Sequence, residues 1–298
     1  MTVSPFTPDG PARRFTAPAG GLPAALRAAY AEDGFLILEG FAEPWRCDLL
    51  RERAAELIAG CDPARPATIF STRDQSHARS AEFRASGSGI AFFFEEDAFD
   101  AAGRLVRPAP LAINKIGHAL HAFDPVFAAF SREPRLAAIA AALGLETPLL
   151  VQSMYLCKQP LIGAEVGWHQ DAAYLHTDPP SATGFWIALE DATLANGCML
   201  ALAGAHRGAL RQRLRDRGGE LILETLDPAP WPDRPVLALE APKGSLVLLH
   251  GLLPHASGPN RSARSRHAYA LHVIDGAARY SSDNWLQPAP GRPFRGFR

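Results

Sequence analysis

Two histidines and one aspartate have the residue types and the spacing of a metal centre. His169 and Asp171 are separated by one residue, and His255 follows far downstream. Two imidazoles and one carboxylate hold non-haem Fe(II) on one face of its coordination sphere and leave the opposite face open. Because residues i and i+2 of a strand point to the same side, His169 and Asp171 should project together, and a further strand must bring His255 beside them. His250, which also ends an apolar run, is the alternative to His255.

An arginine after His255 could bind the carboxylate of a ligand that sits at the metal. Residues 257–262 are rich in turn-forming types, and a strand-like run begins at Arg266. The planar guanidinium binds a carboxylate through two parallel hydrogen bonds. A metal triad with such an arginine is the arrangement of 2-oxoglutarate-dependent oxygenases. Arg264 has the same strand parity and is the alternative to Arg266.

Several separate blocks of the sequence, occurring in one order, carry a family resemblance. They are residues 33–38, 113–121, 151–155, 169–172, 186–193, 196–198 and 284–288. On these blocks, together with the segment around His255, the chain resembles the phytanoyl-CoA dioxygenase family. The resemblance implies a fold that is mainly β with flanking helices, built on a double-stranded β-helix (a cupin-like jelly roll) with iron between its two sheets.

The resemblance also implies which side chains bind the cofactors. His169, Asp171 and His255 would be the catalytic residues and would hold Fe(II). The positions that match 2-oxoglutarate contacts of the family are Lys115, Met154, Gln170, Trp186 and Arg266. Three of them have an ordinary alternative, because Trp186 and Met154 could be packing residues and Lys115 a solvated lysine on a helix.

The function that follows from the resemblance is an Fe(II)- and 2-oxoglutarate-dependent dioxygenase that hydroxylates a small organic substrate. The co-substrates would be 2-oxoglutarate and dioxygen, with release of succinate and carbon dioxide. One alternative is a catalytically silent jelly roll that binds a ligand or a partner protein. A second alternative is a hydrolase or isomerase with zinc, because three protein ligands plus water also form a catalytic zinc site.

Composition and charge favour a cytoplasmic enzyme. The chain has 298 residues, of which 47% are hydrophobic, and a formal net charge of −1, so electrostatics give no reason to expect binding to nucleic acid or to a membrane surface. Its four cysteines lack Cys-x-x-Cys spacing, which is typical of reduced thiols. No apolar run approaches the ~20 residues of a membrane span, and the N-terminus lacks the pattern of a signal peptide.

The pattern along the chain predicts a loose arm over residues 1–20 and a single domain over residues 21–298. Helices are predicted at 23–32, 45–58 and, interrupted by prolines, 114–143. Strands are predicted at 35–38, 148–158, 165–172, 183–191, 197–202, 236–240, 245–250 and 265–274. Such a run of short strands and turns is typical of a jelly roll.

Two segments are predicted to lie at the mouth of the site. Residues 62–110 form an irregular stretch that we interpret as a lid, and residues 207–235 look like an insertion. The insertion contains the arginines Arg207, Arg211, Arg213, Arg215 and Arg217. They could bind the phosphates of a CoA thioester or, since acidic residues are interleaved, form an ordinary solvated face.

His118 and His121, three residues apart on a predicted helix, could bind a metal or simply pack.

Overall fold

Strands dominate the regular structure of this computed structural model, which describes residues 6–61, 68–70 and 81–298. The strands are β1 (Gly10–Pro11), β2 (Arg14–Thr16), β3 (Phe35–Glu39), β4 (Thr68–Phe70), β5 (Ile90–Glu95), β6 (Ile113–His118), β7 (Pro148–Leu156), β8 (Val166–His169), β9 (Thr177–Asp178), β10 (Thr183–Ala188), β11 (Met199–Leu202), β12 (Gln212–Arg217), β13 (Glu220–Thr225), β14 (Val236–Leu239), β15 (Leu246–His250), β16 (His255–Ser257), β17 (Ala268–Asp275) and β18 (Arg279–Tyr280). The α-helices are α1 (Ala24–Asp33), α2 (Pro44–Ala59), α3 (Ala81–Ser86), α4 (Leu120–Phe123), α5 (Pro125–Ser131) and α6 (Pro134–Ala142).

Two large sheets form the core of the fold. The larger sheet has nine strands in the order β2-β3-β15-β10-β17-β7-β6-β5-β4, and the smaller has five in the order β1-β14-β11-β16-β8. Pairing is antiparallel through the centre of both sheets, whereas β1, β2 and β4 pair in parallel. Strands β12 and β13 form a separate hairpin. The predicted architecture, mainly β with flanking helices around a jelly roll, is confirmed.

Alternation along the strands gives the larger sheet two different faces. On β10, Phe185 and Ile187 belong to the apolar cluster that contains residues of α1, α2, α5 and α6. Trp186 and Ala188 belong to a second cluster shared with β11 and β14 of the smaller sheet. Successive strand residues point to opposite faces, so the helices cover the outer face and the smaller sheet covers the inner face.

Local sequence signals set the boundaries of the covering helices. Helix α1 ends at Gly34, which has φ +82° and donates its N–H to the carbonyl of Tyr30, and this left-handed residue turns the chain directly into β3. Helix α5 begins after Asp124, whose carboxylate accepts the N–H groups of Val126 and Phe127. Pro125 occupies the first turn of α5, where its missing N–H costs nothing.

Three sequence predictions need correction or restriction. The helix predicted from residue 114 begins only at Leu120, because residues 113–118 pair with β5 and β7 as strand β6. The predicted loose arm includes β1 and β2, which pair with β14 and β3. Within the predicted lid, β4, α3 and β5 are regular, while residues 62–67 and 71–80 lie outside the described residues. No helix in the described ranges is long and apolar enough to cross a membrane.

Candidate metal centre and adjoining cavity

The two histidines of the predicted triad are neighbours across a strand pair. His255 opens β16 and lies opposite His169, the last residue of β8. Gln170 keeps an extended conformation, with φ −120° and ψ 132°, so Asp171 projects on the same side as His169. The Oδ1 atom of Asp171 lies 3.7 Å from the Nε2 atom of each histidine. One ligand atom from each residue lies within 4.8 Å of the others, which is close enough to hold one metal ion.

Backbone carbonyls orient both imidazoles. The Nδ1 atom of His169 lies 2.8 Å from the carbonyl oxygen of Gly167, and that of His255 lies 3.0 Å from the carbonyl oxygen of Leu253. A carbonyl only accepts hydrogen bonds, so Nδ1 must carry the proton and Nε2 keeps its lone pair toward Asp171. Such outer hydrogen bonds are how proteins fix the tautomer of a metal-binding histidine.

The ionisation states suit a metal site. Burial, aided by the nearby His255, lowers the pKa of His169 to about 4, so its imidazole is neutral at neutral pH. Burial opposes ionisation of Asp171, but the imidazoles of His255, His272 and His169 outweigh it and hold the pKa of that carboxyl well below its usual range. His169 therefore presents a neutral nitrogen ligand, and Asp171 presents an anionic oxygen ligand.

A third histidine contacts the carboxylate of the triad. The Nε2 atom of His272 on β17 lies 3.2 Å from Oδ2 of Asp171, while Oδ1 faces the other two histidines. Gly184 on β10 makes this approach possible, since a Cβ there would lie 3.2 Å from Oδ2 of Asp171 and 3.7 Å from Nε2 of His272. No sequence signal indicated the need for glycine at position 184.

A cavity of about 280 Å³ adjoins the triad between the two sheets. Lys115, Met154, Trp186 and Arg266 line this cavity, as expected for 2-oxoglutarate contacts. Gln170 is not among the lining residues. Its Nε2 atom donates to the carbonyls of Ala209 and Leu252, and its Oε1 atom accepts the N–H of Arg211. Its carboxamide therefore holds loops together, and we do not assign it to the co-substrate.

Arg266 is a buried cation with unused hydrogen-bonding capacity. It is 4% exposed, and its Nη2 atom donates to the carbonyl of Gly197 and to Oγ of Ser257. Its Nε and Nη1 atoms are buried and have no partner among the described residues. Burial lowers the pKa of Arg266 to about 10, so it stays charged at neutral pH. Unpaired guanidinium donors in a cavity fit a carboxylate ligand. The alternative, Arg264, is exposed.

Lys115 is a buried cavity residue and not the solvated helix lysine of the alternative interpretation. It lies on β6 and is 7% exposed. Its Nζ atom lies 3.5 Å from the ring centroid of Phe70 and 5.3 Å from that of Phe93. Burial lowers the pKa of Lys115 to about 7, although Glu95 acts in the opposite direction. An anion that binds beside Lys115 would favour the protonated form of its amino group.

The rival histidines lie in other environments. His250 packs against His206, with ring centroids 5.0 Å apart, and does not belong to the metal-binding group found among the described residues. The Nδ1 atom of His118 lies 2.8 Å from Oγ of Ser86. The Nδ1 atom of His121 lies 2.9 Å from Oγ of Ser153. His118 and His121 therefore have separate partners and do not form a metal pair.

The arginines of the predicted insertion are engaged within the protein. Arg207 donates to the carbonyls of Ala31 and Glu32, at 2.8 and 3.0 Å. The remaining contacts are ion pairs: Arg211 with Asp227, Arg213 and Arg215 with Asp283, and Arg217 with Glu224. These arginines form a paired charged face on the β12–β13 hairpin and its flanks. They do not form an open cationic patch for the phosphates of CoA.

Comparison with known proteins agrees with this architecture. Among solved structures, EctD from S. alaskensis with 2-oxoglutarate and 5-hydroxyectoine has a TM-score of 0.61 at 20% identity, covering 88% of this chain and 79% of that chain. The epimerase SnoN in complex with Fe3+, alpha ketoglutarate and nogalamycin RO has a TM-score of 0.62 at 18% identity, covering 91% and 94%. At these identities the likeness shows a shared fold.

Sequence relatives are considerably more similar. Phytanoyl-CoA dioxygenase domain-containing protein 1 of Mus musculus is 43% identical over 276 residues, which are 89% of this chain and 94% of that protein. Phytanoyl-CoA dioxygenase of Arabidopsis thaliana is 41% identical over 261 residues, or 87% and 92%. The family model for phytanoyl-CoA dioxygenase (PhyH) matches residues 30–268. The chain therefore belongs to the phytanoyl-CoA dioxygenase (PhyH) family.

Proposed function

We propose that this protein is an Fe(II)- and 2-oxoglutarate-dependent dioxygenase that hydroxylates a small organic substrate. The observation that carries the proposal is one cavity that contains both the His169–Asp171–His255 cluster and the unpaired guanidinium donors of Arg266. Family membership supports it. So do the ligands named for the structural neighbours, which are 2-oxoglutarate in EctD and Fe3+ with alpha ketoglutarate in SnoN.

The triad fits an iron ion by its donor set. The Nε2 atoms of His169 and His255 and one oxygen of Asp171 would be the ligands, on one side of the ion. When bound, iron with 2-oxoglutarate supplies oxidative decarboxylation to succinate and transfer of an oxygen atom to the substrate. The backbone carbonyls keep both imidazoles in the metal-binding tautomer. His272 contacts Oδ2 of Asp171, which would leave Oδ1 to serve as the ligand.

The wall beside the triad fits 2-oxoglutarate. Arg266 would bind its distal carboxylate through Nε and Nη1, which have no other partner among the described residues. The guanidinium lies over the ring of Trp186, 5.3 Å from its centroid, so both groups hold each other in place. Lys115 adds a second positive charge and Met154 an apolar wall. Leu214 on the β12–β13 hairpin also lines the cavity and would help to exclude water.

The partners that follow are 2-oxoglutarate, dioxygen and a small-molecule substrate. A cytoplasmic location remains part of the proposal. It is supported by Cys47, Cys157 and Cys198, which are buried thiols and not disulfides.

Anaerobic reconstitution with Fe(II) and 2-oxoglutarate tests the proposal. We expect a weak visible charge-transfer band, and slow formation of succinate once oxygen is admitted. Loss of two charge-assisted hydrogen bonds in Arg266→Ala should weaken 2-oxoglutarate binding by about 10- to 100-fold. Arg264→Ala is the matched control, because that side chain is exposed, and should leave binding unchanged.

Other outcomes point to the alternative functions. Folded, iron-loaded protein that shows neither the band nor succinate would contradict the proposal and favour a silent binding protein. Turnover that persists without oxygen and without 2-oxoglutarate would favour a zinc hydrolase or isomerase.

A further inference from the structure

Gln152 presents an unused carboxamide to the cavity. It lies on β7 directly opposite His272 in register, it lines the cavity, and it is 5% exposed. Its side chain has no hydrogen-bond partner among the described residues. A carboxamide carries two donors and an acceptor, which a ligand in the cavity could engage. The position beside His272, which contacts Asp171, puts this carboxamide next to the metal centre.

Aromatic side chains form another part of the wall of the cavity that Gln152 lines. Trp285 stacks on Phe83, with ring centroids 4.6 Å apart and an interplanar angle of 26°. Both rings line the cavity together with Phe70 and Tyr174. The Nε1 donor of Trp285 is buried and has no partner among the described residues. Such a wall suits a flat apolar group, and the indole supplies one more neutral donor.

The charged side chains that line the cavity already have proposed ligands other than the substrate. Apart from the histidines, the charged residues that line its described part are Asp171, Lys115 and Arg266. In the proposed function, Asp171 binds the metal, and Lys115 and Arg266 bind 2-oxoglutarate. Outside, the hairpin arginines are paired, for example Arg215 with Asp283 at 2.7 Å. Among the described residues that line the cavity, a charged substrate group or the phosphates of CoA would therefore find no cation that is not already assigned.

From these three observations we infer that the substrate is a compact, uncharged, planar molecule with a carboxamide-like group, held by Gln152 and the Phe83–Trp285 wall. A CoA thioester does not fit this chemistry. The inference rests on the proposed function, because that function assigns Lys115 and Arg266 to the co-substrate.

Three probes that share one phenyl ring test the inference. Benzamide is neutral, benzoate is its charged isostere, and benzoyl-CoA is the thioester. Each is titrated by anaerobic calorimetry into protein loaded with Fe(II) and saturating 2-oxoglutarate. We expect benzamide to bind more tightly than the other two. Gln152→Met and Trp285→Phe should each weaken benzamide binding about three- to tenfold through loss of a hydrogen bond. Gln287→Met, an exposed glutamine that does not line the cavity, should not.

The controls separate this inference from the proposed function. The charge-transfer band is recorded first, and its absence in the wild-type protein speaks against the function itself. A normal band with undetectable benzamide binding overturns the inference alone. So does tighter binding of benzoate or benzoyl-CoA, or benzamide binding that is unchanged in both cavity variants. Thermal unfolding of each variant identifies any that fail to fold, and the second variant then decides.

Discussion

The two faces of the larger sheet are built from alternate residues of the same strands and have opposite characters. On the outer face, Phe185, Tyr269 and Leu271 are 0% exposed and pack against helices. On the inner face, the neighbouring residues Gly184 and His272 line the cavity. The outer face is large, apolar and filled, whereas the inner face is small or polar and leaves space. Side chains that stabilise the fold and side chains that line the cavity are therefore only one residue apart along a strand.

This difference has a physical cause. Outer-face residues gain free energy by removing apolar surface from water and by close packing. Inner-face residues forgo part of that gain, because Gly184 and Ala270 contribute little volume and His272 must be desolvated. The strands can carry the cavity because their other face is covered by α1, α2, α5 and α6.

The largest effect is expected from His169→Ala on the inner side. Succinate formation should fall by more than the roughly 100-fold loss typical of residues that only orient metal ligands, because a ligand itself is removed. The free energy of unfolding of the metal-free protein should change little. Stopped assays of succinate and denaturant unfolding measure the two quantities. His250→Ala, at a histidine outside the cluster, is the control, and full activity of His169→Ala would contradict the proposed role.

Leu271→Ala tests the outer face. Removal of a fully buried leucine should lower the free energy of unfolding by about 2–5 kcal/mol, while 2-oxoglutarate affinity of the folded protein stays near that of the wild type. Leu194→Ala is the control, because Leu194 is 48% exposed. If Leu271→Ala weakened ligand binding as strongly as an inner-face variant, the proposed division of roles between the two faces would be wrong.

His272→Phe tests a residue that contacts Asp171 but does not belong to the triad. Loss of the contact to Oδ2 of Asp171 should weaken metal binding by about 10- to 100-fold. Titration of the apoprotein with Co(II), followed by its visible spectrum, measures the affinity. His272→Gln keeps a donor and should recover part of the loss. Equal affinities of His272→Phe and wild type would leave His272 with only a packing role.

The smallest effect is expected from Lys115, which should make the affinity for 2-oxoglutarate depend on pH. Burial lowers its pKa to about 7, so the ammonium loses its proton as pH rises through neutrality, and affinity for the dianion should fall a few-fold. Binding should take up a proton, which calorimetry in buffers of different ionisation enthalpy detects. Lys115→Met should bind more weakly at low pH and lose the dependence; an unchanged profile would exclude Lys115 as its source.

Lys115 should also make the free energy of unfolding depend on pH, and the direction of this dependence follows from its pKa. Its pKa is about 7 in the folded protein, below the ordinary value of 10.5, so the unfolded chain binds more protons between these two values. The free energy of unfolding should therefore rise with pH across this window. Lys115→Met removes the contribution, and comparison of the two unfolding curves against pH isolates it.

Much of the strand pattern could be read from the sequence because the strands are short, apolar and bounded by turn residues. One exception is β6, predicted as helix because its residues Ile113, Lys115 and Ile116 do not alternate between apolar and polar. Their strand conformation depends on hydrogen bonds to β5 and β7 on either side, and such pairing has no local signal. The hydrogen bonds of Gln170 have no local signal either, because its partners are loop carbonyls distant in sequence.

By itself the sequence indicated the His169–Asp171–His255 group, the family and much of the succession of strands, because ligand chemistry depends on residue type and the facing of strand residues on a period of two. Tertiary structure alone decided which cavity residues are unsatisfied. The free donors of Arg266 and the carboxamide of Gln152 have that status only because no partner in the described fold reaches them. Likewise, Gly184 matters only because Asp171 and His272 meet above it. Whether a polar group lacks a partner, and whether two side chains come into contact, depends on how the chain packs. Residues distant in the sequence decide both.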